Sequence, residues 1–484
     1  MNFSRSSGIL LHPTSLPGPF GVGDLGPEAY RFAEQLAEAG QKVWQILPLG
    51  PTGQGDSPYQ SLSSYGGNPL LVSPELLVER GYLSKVDISA PPPFPDSTVE
   101  FGEVAKYKDG LLHKAFAAFS ETTEFHEFER SASWWLDRFS EFMALKHVNQ
   151  ERAWTEFDPG KKPSESEIRF HRFVQFEFSR QWSSLKQRCG RLGISVLGDV
   201  PFYLEHDSVD VWSHPKYFDL DQNGQPKTVG GVPPDYFSAT GQLWGNPTYR
   251  WDKIEADGFT FWIDRLRAAF ESVDLIRLDH FRGFEAYWEV RAGEPTARNG
   301  RWRKGPGDRF FAALHKALGE KSIVAENLGV ITPEVEALRR AFNFLGMAVL
   351  QFAFGEGDSV HRPHNYDRTV AAFTGTHDND TTRGWWDSLG KAGSNGYKDR
   401  SRAACYLQIG PTDNDINWRF IDAVMTSASL LAIIPLQDVL GLGSEARMNV
   451  PGRARGNWGW RVQQGAFSQE SVGRLRELTR LSAR

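Results

Sequence analysis

The sequence predicts an α/β fold, a (β/α)8 barrel with helical and loop insertions after its second and third strands. Three observations predict it. Eight short apolar runs punctuate the chain, most of them are followed by a stretch with helical spacing, and at three of them a carboxylate stands where the run gives way to a loop. Near-continuous apolar strands alternating with helices require a parallel sheet covered on both faces. Strand ends of such a barrel converge on one mouth, where active sites sit.

The expected strands are Gly8–Leu11, Val43–Leu47, Ser195–Val200, Leu275–Asp279, Ile323–Glu326, Ala348–Phe352, Val370–Thr374 and Leu430–Pro435. Each is a run of strand length ending in turn or polar residues. Helices are expected at Pro27–Ala39, Phe259–Phe270, Gly307–Leu318 and Thr332–Phe342, the last opening on a capping Thr followed by Pro. The stretch from Leu47 to Ser195 is too long for one crossover. Apolar spacing of three and four marks helices at Leu111–Phe119, Trp134–Val148 and Ile168–Arg188, beyond the proline-rich joint 90–95. Residues 60–165 therefore read as a helical insertion beside the mouth. Residues 201–258, rich in Gly, Pro, Asp and aromatics, read as a loop-rich insertion, and such a loop near a mouth carries function more often than not. Only residues 436–484 follow the eighth strand, too few for a C-terminal β-sandwich domain of ~100 residues. The whole chain, 1–484, reads as one catalytic domain.

Composition excludes several classes of function. A net charge of −6, with Lys and Arg scattered, offers no footprint for nucleic acid. No apolar run reaches the ~20 residues that span a bilayer. The first strand is expected almost at once after Met1, which leaves no room for a leader. Two cysteines, Cys189 and Cys405, make neither a disulfide framework nor a metal cluster. A cytoplasmic monomer without cofactor or metal is the expectation. Phosphate-cradling and nucleophile-elbow motifs are missing from the sequence, and Gly21-Val22-Gly23-Asp24-Leu25-Gly26 reads as a plain loop, not a dinucleotide fingerprint. With 16 Trp and 33 Phe, the chain has aromatic faces to spare for packing on pyranose rings.

Chemistry concentrates at three strand ends. In Leu275-Ile276-Arg277-Leu278-Asp279-His280, alternation puts Arg277 and Asp279 on one face. The arginine can hold Asp279 ionised, as a covalent nucleophile must be; a purely structural ion pair is the alternative. Glu326, after Ile323-Val324-Ala325, should be partly desolvated, which suits a proton donor; capping a helix or pairing with Arg is the alternative. Asp378 follows His377 in Thr374-Gly375-Thr376-His377-Asp378-Asn379-Asp380, and no HExxH, Cys/His or EF-hand spacing accompanies this pair to suggest a metal. Together, a nucleophilic and an acid/base carboxyl perform retaining glycoside chemistry.

Several further motifs resemble the 4-α-glucanotransferases, the amylomaltase or disproportionating-enzyme group (glycoside hydrolase family 77). They are His12-Pro13-Thr14-Ser15-Leu16-Pro17-Gly18, Trp44-Gln45-Ile46-Leu47-Pro48-Leu49-Gly50-Pro51, Gly55-Asp56-Ser57-Pro58-Tyr59, Gly198-Asp199-Val200-Pro201, and Arg447-Met448-Asn449-Val450-Pro451-Gly452 with Asn457-Trp458. With the carboxylate stretches they span nearly the whole chain. The resemblance implies that Asp279 is the nucleophile, Glu326 the general acid/base and Asp378 the transition-state stabiliser. It implies sugar contacts by Arg277 and His377, and a glucan groove lined by Ser57, Tyr59, Asp199, Trp244, Asn327 and Asn449. The segment 233–247, including Asp235 and Tyr236, resembles the family's lid. Gln54 stands where some members carry a tyrosine proposed to stack on a distant glucan segment, so a second glucan site is not carried over. The implied activity moves an α-1,4-glucan segment, from starch, glycogen or maltooligosaccharides, to the 4-hydroxyl of glucose or another glucan. An α-amylase-type hydrolase and a non-catalytic glucan-binding barrel are the competing readings.

Overall fold

In the computed structural model, residues 4–53, 55–234, 238–389 and 396–484 are described. Among them the strands are, in chain order, β1 (Ser6–Leu10), β2 (Val43–Gln45), β3 (Ser195–Val200), β4 (Thr228–Val232), β5 (Gln242–Pro247), β6 (Leu275–Leu278), β7 (Ala286–Arg291), β8 (Arg301–Lys304), β9 (Ile323–Ala325), β10 (Leu345–Val349), β11 (Val370–Phe373) and β12 (Leu431–Pro435). Eight of these close a barrel in the order β1-β12-β11-β10-β9-β6-β3-β2, and every barrel pairing is parallel. The expected (β/α)8 architecture is present.

Alternation along the strands divides the core into two shells. Leu10, Val43, Leu197, Leu275, Val324, Met347, Phe373 and Ile433 fill the barrel interior. Their neighbours Ile9, Trp44, Val196, Ile276, Ala325, Ala348, Ala372 and Ile434 face the surrounding helices. Burying a large aliphatic side chain contributes ~1.5–3 kcal/mol, so each strand is fixed in register from both sides.

Two expectations about the elements need correction. The sixth barrel strand is Leu345–Val349, and Leu350–Phe352 is a 3-10 turn instead of its end. The stretch from Phe344 to Phe354 is apolar almost throughout, so its pattern carries no mark of where the strand stops. The insertion at 201–258 is also less loop-like than its sequence suggests. It supplies β4 and β5, which pair with β7 and β8 in a four-stranded antiparallel sheet ordered β5-β4-β7-β8. β7 and β8 form a third insertion, after the fourth barrel strand, that the sequence pattern did not indicate.

Three helices, Phe101–Ala118, Thr123–Val148 and Glu165–Arg191, lie between the second and third barrel strands. These helices begin earlier than their apolar spacing indicated; the last two open on polar residues, Thr123-Glu124 and Glu165-Ser166-Glu167. The Thr122 and Ser164 side chains accept from the backbone N–H groups of Phe125 and Glu167 and close those turns. The last helix also orders the segment leading to the mouth. Gln175 donates to the Gly67 carbonyl at 2.9 Å and accepts from its N–H at 2.7 Å, and Gln181 accepts from Ser73 at 2.7 Å. Among the described residues, no helix is long and apolar enough to cross a membrane.

Candidate active site

Register explains why the first cluster forms. Asp199 on β3 lies opposite Arg277 on β6, so both side chains emerge on one face. Arg277 Nη1 donates to both Asp199 oxygens, at 2.9 and 2.8 Å, and reaches Asp279 Oδ1 at 2.8 Å. The guanidinium is buried and is shared by the two carboxylates; their charges hold it protonated against its desolvation. Burial pushes the Asp199 carboxyl up to about 7, against the pull of Arg277. The expectation that Arg277 and Asp279 share a face is met, with Asp199 as a third partner.

Glu326 follows β9, directly beside Asp279. Its backbone N–H donates to Leu278 O at 3.0 Å, continuing the β6–β9 ladder beyond the strand. Its side-chain oxygens accept from the backbone N–H groups of His280 at 2.9 Å and Leu328 at 3.1 Å. Desolvation pushes the Glu326 carboxyl up to about 8, reinforced by the Asp279 charge and opposed by Arg277. His280 makes the contact possible by adopting a left-handed conformation, φ 46° and ψ 48°. That turn aims its N–H at Glu326 and costs about 1 kcal/mol or more for a residue with a Cβ.

The third cluster is strapped by a distant loop. The Asn449 side chain donates to Asp378 Oδ1 at 2.6 Å, and Arg447 donates to the Asp378 carbonyl at 2.7 Å. The Asn449 N–H donates to the His377 carbonyl at 3.1 Å. His377 is buried, and burial lowers the pKa of its ring, keeping it neutral. Tyr59 joins this cluster to the first. Its ring stacks on His377 with centroids 5.1 Å apart, and its hydroxyl donates to Asp199 at 2.8 Å. Ser57, two residues earlier, accepts from the Tyr59 N–H at 3.3 Å and shapes that turn. Trp458 packs against both Tyr59 and His377.

The remaining expected residues divide. Trp244 on β5 stands edge-on to His280, with ring centroids 4.8 Å apart, and so borders the acid/base cluster. Asn327 has both ends of its amide engaged behind the mouth, donating to Glu336 at 2.6 Å and accepting from the Met347 N–H at 2.7 Å. Asp235, Tyr236 and Gln54 lie outside the described residues. Sequence reasoning did not single out Arg447, Trp458 or His280 as site residues. Arg447 and Trp458 lie in quoted motifs, and their proximity to Asn449 was the available signal. His280 acts through its backbone, which side-chain type does not reveal.

A family model described as 4-alpha-glucanotransferase matches residues 11–467. The chain belongs to the 4-alpha-glucanotransferase family. It is 47% identical over 509 residues to the 4-alpha-glucanotransferase of Thermus thermophilus, covering 100% of each chain. The Synechocystis relative is 46% identical, with 99% of this chain and 98% of that one covered. Among solved structures, an amylomaltase from Streptococcus agalactiae in complex with acarbose superposes with a TM-score of 0.94 at 36% identity, covering 99% of both chains. An amylomaltase from Corynebacterium glutamicum, 18% identical, shares the fold with a TM-score of 0.83 over 98% of this chain and 75% of that one. The chain is therefore an enzyme of glucan transfer, and the retaining double displacement agrees with its family.

Proposed function

We propose that Asp279 attacks the anomeric carbon of an α-1,4-glucan while Glu326 protonates the departing 4-oxygen. The reducing-end fragment leaves and the donor segment stays on Asp279 as an ester. Glu326, now a carboxylate, takes the proton from the 4-hydroxyl of glucose or another glucan, and that oxygen displaces Asp279. Two inversions restore the α-configuration. Asp378, held by Asn449, stabilises the positive charge that develops on the ring, and His377, Tyr59 and Arg277 hold the sugar on the donor side.

One observation carries this reading: adjacent strand ends hold two carboxyls in opposite environments. Asp279 is ion-paired to Arg277, while Glu326 is desolvated and raised to about 8. Such a pair divides into nucleophile and acid. Neutral His377 and Tyr59, whose phenol burial keeps protonated, supply hydrogen bonds without adding charge. Transfer in place of hydrolysis requires the acceptor to outcompete water at about 55 M. Positioning is sufficient for that, since effective molarities reach ~10⁵ M or more.

Incubation with maltotriose tests the proposal. Glucose and a ladder of longer maltooligosaccharides should appear with the number of reducing ends unchanged. Accumulation of glucose and maltose alone, with rising reducing ends, would replace transfer with hydrolysis.

A further inference from the structure

The chain that follows β12 reaches back to the loop that carries His377 and Asp378. β12 lies beside β11 with Ile433 opposite Phe373, so the two strands end side by side. Asp438, in the short helix Leu436–Val439 after β12, is buried. Thr374, the first residue after β11, donates its hydroxyl to Asp438 Oδ2 at 2.6 Å. Thr382, which opens the next helix, donates its hydroxyl to the same oxygen at 2.8 Å and its backbone N–H to Oδ1 at 2.7 Å. Both threonines are fully buried. One carboxylate therefore binds both ends of the segment 374–382, with His377 and Asp378 near its centre. Between the ends, the Asn379 side chain accepts from the N–H and hydroxyl of Thr376 at 2.9 and 2.8 Å, and the Thr376 hydroxyl accepts from the Asp378 N–H at 3.2 Å.

We propose that Asp438 is a positioning residue for glucan transfer: by tying Thr374 to Thr382, it fixes where Asp378 meets the charge that develops on the sugar ring. The inference rests on the reading of Asp378 given above. The bonds of Thr376 and Asn379 shape the middle of the loop, but they leave its height above the barrel open. That height is set at the base, where the strand ends and the helix begins. A buried carboxylate that accepts from both places leaves the base little freedom, because untying it strands buried donors at a cost. Asp438 touches no substrate. Its effect reaches the reaction through Asp378, whose interaction grows only as the ring becomes positive, so misplacement costs more in the transition state than in the bound ground state.

Asp438→Ala unties both ends and tests this. With maltotriose, kcat should fall about 10- to 100-fold, while KM changes less than about threefold. Fluoride release from α-maltosyl fluoride should fall by the same factor, since Asp378 is needed whatever the leaving group. Asp438→Asn keeps the tie, its amide oxygen accepting from the Thr382 N–H and its amide nitrogen donating to the two hydroxyls, and should stay within about threefold of the parent kcat. Maltotriose titrated calorimetrically into the same variants carrying Asp279→Asn counts the intact sites. If Asp438→Ala does not fold, the double variant Thr374→Val/Thr382→Val, which keeps volume and removes both hydroxyls, is judged in its place. An unchanged kcat, a defect that disappears with the fluoride donor, or a loss matched by lost sites overturns the proposal. So does a defect equally deep in Asp438→Asn. Retained activity in Asp378→Asn would instead remove the reading of Asp378 and the proposal with it, a result distinct from an inert Asp438.

Discussion

The barrel mouth and the antiparallel sheet beside it are built on opposite principles. At the mouth, Asp199, Arg277 and Glu326 sit on or just after strands whose backbones and both faces are packed, and each charged group has several partners. In the sheet, β8 is an exposed edge, Arg301–Lys304, and β5 is only partly covered. The difference teaches where each property of a transferase belongs. Bond cleavage needs charges held to a fraction of an ångström, so it sits on rigid strand ends. The sheet, with its exposed edge and partly covered β5, is the part expected to open locally first.

The sharpest way to break this comparison is to remove the nucleophile. Asp279→Asn should lower turnover of maltotriose by about 10⁴-fold or more while leaving the fold intact, as product analysis and circular dichroism would show. Retained activity would remove Asp279 from its role and leave the mouth no more important than the sheet. Glu326→Gln comes next, with a loss of ~10²–10⁴-fold on maltotriose. A donor whose leaving group needs no proton, such as α-maltosyl fluoride, should retain most of the first step. The pH profile sharpens the same point. The first step needs protonated Glu326, so activity should fall as pH rises through about 8. An alkaline limb that persists unmoved in Glu326→Gln with the fluoride donor would assign it to another group.

The third prediction concerns stability at the mouth. Arg277→Ala leaves Asp199 and Asp279 facing each other without their shared cation. Breaking such a buried pair costs ~3–5 kcal/mol, so chemical denaturation should show a loss of that order in addition to the loss of activity. A cost under about 1 kcal/mol, the range of exposed pairs, would mean that the mouth is more hydrated than its packing indicates.

How much of this was legible in the sequence follows from the same contrast. The eight barrel strands were readable because each is buried on both faces and so is apolar along its length. Asp279, Glu326 and Asp378 were readable because a carboxylate stands at or just beyond the end of each apolar run. Asp199 is different: its link to Arg277 depends on register between strands 78 residues apart, which alternation within one strand does not give. The antiparallel sheet was hidden for a related reason. β4 contains Gly230-Gly231, β8 is Arg-Trp-Arg-Lys, and the central pairing of β4 with β7 joins segments that are distant in sequence. Neither strand has the alternation that marks a half-buried strand. Asn327 shows the limit of reading by residue type, since its amide is used to bind Glu336 and Met347 N–H.

The smallest expected effect lies where the two regions meet. Arg282 is buried, donates to the Val330 and Ala286 carbonyls, and lies over the Trp302 ring at 3.8 Å. Val330 is four residues beyond Glu326, so this arginine links the edge strand β8 to the segment that carries the acid/base. Trp302→Ala removes the ring but leaves both carbonyl bonds in place. The cation–π contribution at a partly exposed site is ~0.5–1 kcal/mol, and in a chain of this size that lowers the melting temperature by no more than about 2 °C. Hydrogen exchange should quicken along β8 while the rates of transfer change less than about twofold, because the carbonyl bonds, not the ring, fix the 326–331 segment. If the alkaline limb near pH 8 moves in this variant, the edge strand reaches Glu326 through Arg282. The chemistry would then depend on the antiparallel sheet as well as on the barrel.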